Sequence, residues 1–451
     1  MLIIFTALIQ QTKKIKMNFS NKYSQIFIVI VLSITTVSLR AQAPKKPFTV
    51  NLSEDGKKYI KFGANAQIWG RYTELNNGSR VGNDLTTDAY DIVIRRLRLQ
   101  AMGMLADKVF FHFQLGQNNI NFLQNNNPSN SPLSIMDALG EYHFSNQFQV
   151  GGGINGWGAG TTRYSAQSSS SQLTVDAPIY QQNNISGTFG NRNLTIYAKG
   201  MIDKWSYRIG VTNPYRNSSS AVGTSASVSN QTPNAQFLGM LTYQFLDKES
   251  NMEPYNKATY LGAKNVFNIG IGYMFQKDAM WRKSSSIAND TIFENMGVLG
   301  IDVFYERPLS AKGNTLTAYA AFNNCNYGEN YLRMLATPNP ASSGTGSGFY
   351  GIGTGNIFYS QIGYLFPKAN KEKAIARVQA YTAIEYASLN ALNSPMTMIE
   401  AGVNYYITGT LGPKFTLGYQ NRSVFEPKTG EQKLFQTTRN HMLTAQLQVN
   451  F

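Results

Sequence analysis

YIKFGANAQIWGRY, the stretch from Tyr59 to Tyr72, alternates apolar and polar residues along its length. One parity is apolar and consists of Ile60, Phe62, Ala64, Ala66, Ile68 and Tyr72. The other parity is polar and includes Lys61, Asn65, Gln67 and Arg71. Successive side chains of a strand point to opposite faces, so this pattern predicts a strand with one apolar face and one polar face.

The same alternation recurs along the chain, for example at 109–115, 193–199, 204–211, 267–276, 376–385 and 443–451. About sixteen such segments of roughly nine to fifteen residues follow one another, and a tilted strand needs about 9 to 11 residues to cross a bilayer. Strands of soluble sandwiches are shorter, at about five or six residues. The pattern therefore predicts an all-β fold, a transmembrane antiparallel β-barrel of about sixteen strands.

The connections between these segments alternate in length. Short links occur at 105–107, 145–146, 202–203, 309–313 and 409–412. Long polar stretches lie between them, at 118–132, 155–186, 213–233, 277–295, 324–353 and 425–440. Short periplasmic turns and long external loops are typical of outer-membrane barrels. The link at 247–263 is the exception, because the scheme assigns it to the short side.

The first 41 residues are predicted to be a cleaved signal peptide. Residues 26–39 form an apolar block that follows Lys22 and precedes Ala41, and it is too short for the ~20 apolar residues of a transmembrane helix. Met17 is an alternative start, and a buried core helix is the alternative interpretation of the block. Residues 42–58 are predicted to be a periplasmic lead-in, and residues 59–451 the barrel in the outer membrane of a Gram-negative bacterium.

Composition excludes several classes of protein. Only 14% of the residues are charged, against ~25% in a typical soluble chain. The single cysteine, Cys325, excludes a disulfide framework and a thiolate metal cluster. The net charge is +15, but no dense Lys/Arg run follows residue 41, so nucleic acid is not a predicted partner.

A closed barrel of about sixteen strands encloses a water-filled lumen, whereas the interior of a barrel of about eight strands is filled by side chains. The polar parity then lines the pore. Its predicted basic residues are Arg96, Arg98, Lys61, Arg71, Lys199, Lys204, Arg208, Arg377 and Arg422. The other predicted lining residues are Gln100, His112, Gln114, Glu141, His143, Asp302 and Glu385, with Glu306 and Glu400. A basic surplus in a confined channel favours anions.

The densest basic cluster is DIVIRRLRLQA, from Asp91 to Ala101. Alternation directs Arg96, Arg98 and Gln100 into the lumen and Arg95 toward lipid, where an arginine costs ~2 to 4 kcal/mol at mid-bilayer. Arg95 must therefore lie near an interface, snorkel or occupy a bulge. Arg96 and Arg98 either bind a phosphate-like oxyanion or pair with lumenal carboxylates.

The run IRRLRLQAMG at 94–103, followed by DKVFFHFQLG at 107–116, resembles the second and third strands of the phosphate-selective porin O and P family. The resemblance implies a trimeric, anion-preferring diffusion pore for small anionic solutes such as phosphate. Selective members of that family carry a ladder of arginines, of which Arg96 and Arg98 lie in the matching motif. The stretch 155–186 corresponds to the constriction loop, and Arg163 is its only basic residue, which favours a less selective pore.

Features near the strand ends support a membrane barrel. Phe451 ends the last alternating segment and is predicted to be the signal for the barrel-assembly machinery. Aromatic residues suited to interfacial girdles beside the lipid are Trp69, Tyr72, Trp205, Tyr243, Tyr305 and Tyr419. The glycines at 151–153 have no following helix to bind phosphate, so they are interpreted as easing strand curvature.

Two other functions remain open. A barrel-embedded hydrolase would need a nucleophile with a base in reach, but the sequence contains neither a Gly-x-Ser-x-Gly nor a His-Glu-x-x-His motif, so no catalytic residue is assigned. Glu141 and His143 share a face, yet a third metal ligand is not identified, and no metal or cofactor is predicted. An adhesive or structural barrel would use the same Ser/Asn/Gly-rich loops.

Overall fold

The computed structural model describes residues 48–121, 132–156, 163, 171–177, 179, 192–216, 223–286, 290–335, 338–368 and 376–450. The predicted signal peptide and Phe451 lie outside them. The described residues form 22 strands: β1 (Phe48–Asn51), β2 (Tyr59–Glu74), β3 (Arg80–Val81), β4 (Asp84–Leu85), β5 (Asp88–Ala106), β6 (Val109–Asn121), β7 (Ser134–His143), β8 (Gln149–Asn155), β9 (Asn193–Ile202), β10 (Trp205–Thr212), β11 (Ser227–Val228), β12 (Gln236–Gln244), β13 (Val266–Lys283), β14 (Thr291–Pro308), β15 (Thr315–Asn326), β16 (Leu332–Leu335), β17 (Phe349–Gly353), β18 (Gly355–Leu365), β19 (Arg377–Leu389), β20 (Met396–Tyr406), β21 (Lys414–Pro427) and β22 (Leu434–Asn450).

Sixteen of the strands in the described part of the chain form a closed antiparallel ring, as the alternation predicted. The ring is closed where β22 pairs with β2, with Gln448 opposite Gln67. The Gln67 side chain donates to Gln448 over 2.7 Å, and the Trp69 indole donates to Gln446 over 2.7 Å. Closure leaves no free sheet edge in lipid, where an unpaired backbone group costs several kcal/mol.

The other six strands lie outside the ring. Residues 48–51 of the predicted lead-in form β1, which pairs with the start of β2. Strand β11 pairs with the far end of β13. The pairs β3–β4 and β16–β17 are hairpins within loops.

The two ends of the barrel differ, as expected for periplasmic turns and external loops. At the turn end the connections are 107–108, 144–148, 203–204, 245–265, 309–314, 366–376 and 407–413. At the loop end they are 75–87, 122–133, 156–192, 213–235, 284–290, 327–354, 390–395 and 428–433. Two predicted long loops, 277–295 and 425–440, are largely strand, because β13, β14, β21 and β22 extend as hairpins past the alternating region.

The outward face is apolar over the membrane-crossing part of the strands. Ile92 and Ile196, for example, are 67% and 77% exposed. At the turn end, Trp205, Tyr243, Phe245, Phe267 and Tyr305 form a chain of ring contacts with centroid distances from 4.7 to 6.3 Å. This chain matches the expected girdle.

Trp69 was wrongly assigned to the girdle. It has the inward parity of β2, is 1% exposed, and packs against Val93 and Val175.

The lumen near the loop end is apolar. Inward-facing Met274, Met280, Met296, Met396 and Met398 are each at most 2% exposed and belong to one buried cluster. The β16–β17 hairpin contributes Leu335 and Ile352 to the same cluster. The polar parity therefore does not line the whole barrel, contrary to the uniform polar wall that the sequence predicted.

The external mouth is bridged by two loops. The loop 327–354 reaches from β15 and β18 to the loop between β2 and β5, across the four strands β19–β22 of the ring. The Asn76 amide donates to Gly346 over 2.8 Å, and the Ser342 amide donates to Arg80 over 2.8 Å. These backbone contacts hold part of the loop end in a covered state.

Gly153 allows β8 to pass close to β7. Its φ is +142°, and an added Cβ would lie 2.0 Å from the Ala138 carbonyl oxygen. We expect Gly153→Ala to destabilise the barrel by at least about 2 kcal/mol, since it combines backbone strain with overlap. Urea unfolding in micelles measures this effect. Gly70→Ala is the control, because no atom lies within 4 Å of its added Cβ; equal losses in both variants would contradict the explanation.

Candidate functional site

A bulge in β5 directs two adjacent arginines into the lumen. Gln67 pairs with Arg96 and Ile68 pairs with Ile94, so Arg95 has no partner in the register. On the neighbouring strand Asn119 has a φ of 60°, a conformation that asparagine tolerates, and its side chain accepts a 2.8 Å hydrogen bond from Arg95. Of the three positions open to Arg95, the bulge is the one observed.

Arg95 and Arg96 share one carboxylate. Asp176, from the connection between β8 and β9, lies 3.1 Å from Arg95 and 3.3 Å from Arg96. Burial alone would raise the pKa of Asp176, but the charges of the two guanidiniums and their hydrogen bonds outweigh it and lower that pKa. The cluster thus holds two cations against one anion.

Arg98 contacts neutral groups. It donates to the carbonyls of Leu97 and Gln117 and, over 2.6 Å, to the side chain of Asn118. Gly116 faces it across the strand pair, and an added Cβ there would lie 2.9 Å from the guanidinium. Glycine at 116 therefore makes room for the arginine.

Arg71 and Arg422 lie nearer the loop end. Arg71 makes a two-pronged ion pair with Asp91, at 2.6 and 2.7 Å, and Asp91 also accepts from Asn121. Arg422 donates to Thr73 over 3.2 Å, and its guanidinium lies 5.5 Å from the Phe349 ring centroid. Arg71 is thus neutralised locally, whereas the contacts of Arg422 are to neutral groups.

The remaining predicted basic residues occupy different positions. Lys199 is fully buried and pairs with Glu141 over 2.7 Å, while Arg208 donates to Pro254 over 2.5 Å. Lys61 has inward parity but is exposed near the turn end. Arg377 donates to the carbonyls of two neighbouring turn-end connections. Lys204 lies in a turn and donates to the Phe245 carbonyl, which departs from the expected position on the wall.

The predicted acidic and polar residues face inward. Gln114 donates to Gln100 over 3.2 Å, and His112 packs edge-on to Tyr255. Glu141 and His143 bind each other over 2.7 Å. Asp302 accepts from the Arg163 amide, and Glu385 is fully buried on β19. Within the described ranges, no group of three His, Cys, Asp or Glu side chains is positioned to hold a metal.

Residues 171–177, which we name the inner segment, lie inside the barrel. Leu173, Val175 and Ala177 are at most 1% exposed. Lys414 donates to the Gln172 carbonyl over 2.6 Å, and the Val175 amide donates to Glu400 over 2.6 Å. The inner segment, which is part of the stretch 155–186, therefore contacts wall residues of β20 and β21.

Residues 245–265, which we name the long link, enter the barrel from the turn end. The Glu249 carboxylate in this link accepts hydrogen bonds from the side chains of Arg163, Tyr260 and Asn268. Glu306 accepts from the amides of Tyr260 and Gly262 at 2.9 and 2.8 Å. This connection is the exception that the loop pattern identified, and its place inside the barrel accounts for its length.

The two inward-folded segments bury the polar wall. Gln67, Lys199, Glu400 and Gln448 are each at most 1% exposed. Toward the loop end a cavity of about 30 Å³ remains between the β16–β17 hairpin, Asp176 and the wall. Sequence reasoning missed Asp176 and Glu249, which hold these segments, although the apolar alternation Leu173, Val175, Ala177 and Ile179 was a signal for a buried segment.

Comparison with solved structures identifies the architecture. OmpF of Salmonella typhi, in complex with daunomycin, aligns with a TM-score of 0.51 at 11% identity, over 88% of this chain and 99% of that one. OprB of Pseudomonas putida, at high pH, aligns with a TM-score of 0.50 at 11% identity, over 87% and 94%. The fold is that of the outer-membrane porins. No protein-family profile and no curated protein matches the sequence.

The porin fold and its apolar exterior establish the location of the chain. A closed ring of sixteen described strands satisfies its backbone internally, which a bilayer requires. The protein therefore lies in the outer membrane of a Gram-negative bacterium. No helix among the described residues is long and apolar enough to cross a membrane.

Proposed function

We propose that this protein is an outer-membrane diffusion channel for small anionic solutes such as phosphate, with a lumen narrowed by the inner segment and the long link. The observation that carries the proposal is the charge of the inward wall on β2, β5 and β21. Among the described residues, five arginines there have two carboxylates, Asp91 and Asp176, within ion-pair distance. A basic surplus in a confined passage attracts anions.

Phosphate is the finer part of the proposal. Its support is the resemblance of 94–103 and 107–116 to the phosphate-selective porin O and P family, together with the inward direction of Arg95, Arg96 and Arg98. Guanidinium pairs suit the oxygens of a phosphate. We also propose a homotrimer, which the same resemblance implies; native mass spectrometry of the protein extracted in mild detergent tests it.

A sealed barrel with a structural or adhesive role is the second candidate. The observation in its favour is the burial of wall residues such as Gln67 and Glu400, which an open channel would expose. Planar-bilayer recording separates the two: a channel gives discrete current steps with an anion-biased reversal potential, whereas a sealed barrel gives none.

Arg96 and Arg98 are expected to set the anion preference. In the double variant Arg96→Ala/Arg98→Ala we expect the reversal potential in a potassium chloride gradient to shift toward that of a non-selective pore, because two inward cations are lost. Arg95 still pairs with Asp176 in this variant and the backbone ladder of β5 remains, so the barrel should still fold, with a lowered melting temperature. Arg307→Ala/Lys312→Ala removes the same charge from exposed positions and is the control. Equal reversal potentials for wild type and the Arg96/Arg98 variant would reject this role.

A further inference from the structure

The cavity toward the loop end combines buried cations with apolar walls. Half of its lining side chains are apolar, including Trp69, Phe349, Met398 and Met442. Arg71 and Arg422 face it as well, and both are about nine-tenths buried or more. The cavity thus has a charged side and an apolar side.

Arg422 provides the charge for a ligand. Arg71 is already matched by Asp91, and Asp176 on the cavity wall is matched by Arg95 and Arg96. Within the described part of the chain, no carboxylate lies within ion-pair distance of Arg422, whose contacts are the Thr73 hydroxyl and the Phe349 ring. A buried cation without a counter-charge is costly, so an anion in this cavity is stabilised.

The apolar side selects the kind of anion. Phosphate needs hydrogen-bond donors around all of its oxygens, and Trp69, Met398 and Met442 supply none toward the cavity, since the Trp69 indole N–H is already bonded to Gln446. A carboxylate with a short alkyl tail matches both sides. A volume of about 30 Å³ limits the ligand to a small anion.

We propose that this cavity is a binding site for short-chain monocarboxylates, held by Arg422 at the carboxylate and by Trp69, Phe349, Met398 and Met442 at the alkyl tail. The proposal rests on the proposed anion channel, because it names one class of solute for it. The site lies between the β16–β17 hairpin and the inner segment, so a solute moving along the lumen would meet it.

Titration calorimetry of the full chain in detergent micelles tests the proposal, with sodium propionate, sodium phosphate and propylammonium chloride at equal ionic strength. We expect propionate to bind at least about tenfold more tightly than phosphate, and propylammonium not to bind. Phosphate binding as tight as propionate, or binding of neither anion, would overturn the assignment. These arms use the unmodified chain and do not depend on any variant folding.

Variants then locate the site. Arg422→Gln should weaken propionate binding at least about tenfold and Arg422→Lys should restore part of it, because the carboxylate needs a cation. Met398→Gln should weaken propionate but not phosphate. Arg307→Gln, an exposed charge on β14, should leave both unchanged. Propionate affinity that is the same in Arg422→Gln and wild type would reject the site.

Bilayer recording distinguishes this inference from the channel proposal. A barrel that binds propionate but passes no current refutes the channel and keeps the binding site. A barrel that conducts anions but binds no propionate refutes the binding site and keeps the channel.

Discussion

Asp176→Asn should raise the single-channel conductance several-fold and make the current more anion-selective. The carboxylate of Asp176 is one-fifth exposed and holds Arg95 and Arg96, whose side chains are 3% and 5% exposed. Removing one member of a buried ion pair costs about 3 kcal/mol, which weakens the docking of the inner segment by roughly a hundredfold. Two guanidiniums also lose their counter-charge in the lumen, so the preference of the pore for anions increases further.

The control for Asp176→Asn is Asp203→Asn. Asp203 lies in the turn between β9 and β10, is 79% exposed and pairs with exposed Lys248 at 3.2 Å. Both variants change the net charge equally, so a difference between them reports on the lumen. If Asp176→Asn conducts like wild type and only melts earlier, the inner segment is a structural filler rather than a constriction.

The ring and its inward face were predictable from the sequence because parity is a strict property of a strand. With Gln67 and Arg71 of β2 facing inward, the same rule predicts that Lys199, Arg208 and Arg422 also face inward, as the structure shows. Lys204 shows where the rule ends. It follows a turn, where the backbone is no longer extended and parity has no meaning.

Arg95 illustrates a local limit of the rule. A bulge shifts parity by one residue, so the inward set changes from Ala89, Asp91 and Val93 to Arg96 and Arg98 across the same strand. The cost of a charge in lipid identified Arg95 as irregular. The alternation alone did not choose among an interface, snorkelling and a bulge.

The filled lumen was less predictable. Asp176 lies far along the chain from Arg95 and Arg96, and no periodicity links Val175 to Glu400. Inward Met274 and Met398 belong to one apolar cluster with Leu335 and Ile352 of the β16–β17 hairpin. Such contacts depend on loop conformation, which composition rich in Ser, Asn and Gly does not specify.

Glu249→Gln should release the long link and open the turn end of the lumen. Glu249 neutralises Arg163 and also accepts from Tyr260 and Asn268. Glutamine keeps the shape but not the charge, so the buried Arg163 loses its ion pair with Glu249 at a cost of about 3 kcal/mol. We expect larger and noisier currents than in wild type, and faster cleavage of 245–265 by protease added at the turn end. Glu253→Gln changes an exposed residue of the same link and is the matched control.

Acidification should release both the inner segment and the long link in the unmodified chain. Burial alone would raise the pKa of Glu249, but the charge and hydrogen bonds of Arg163 outweigh it, so the pKa lies below the ordinary 4.5; that of Asp176 likewise lies below 3.8. A carboxylate whose pKa is lowered in the docked state stabilises docking fully at pH values above its ordinary pKa. This contribution is lost as the pH falls through the lowered pKa. The docking that Asp176 and Glu249 provide should therefore be unchanged from about pH 7 to about pH 5, and conductance should rise as the pH falls further and this docking is lost. In Asp176→Asn/Glu249→Gln the rise should already be present at neutral pH and the acid-dependent step should vanish. A step of wild-type size in that double variant would assign the titration to other groups.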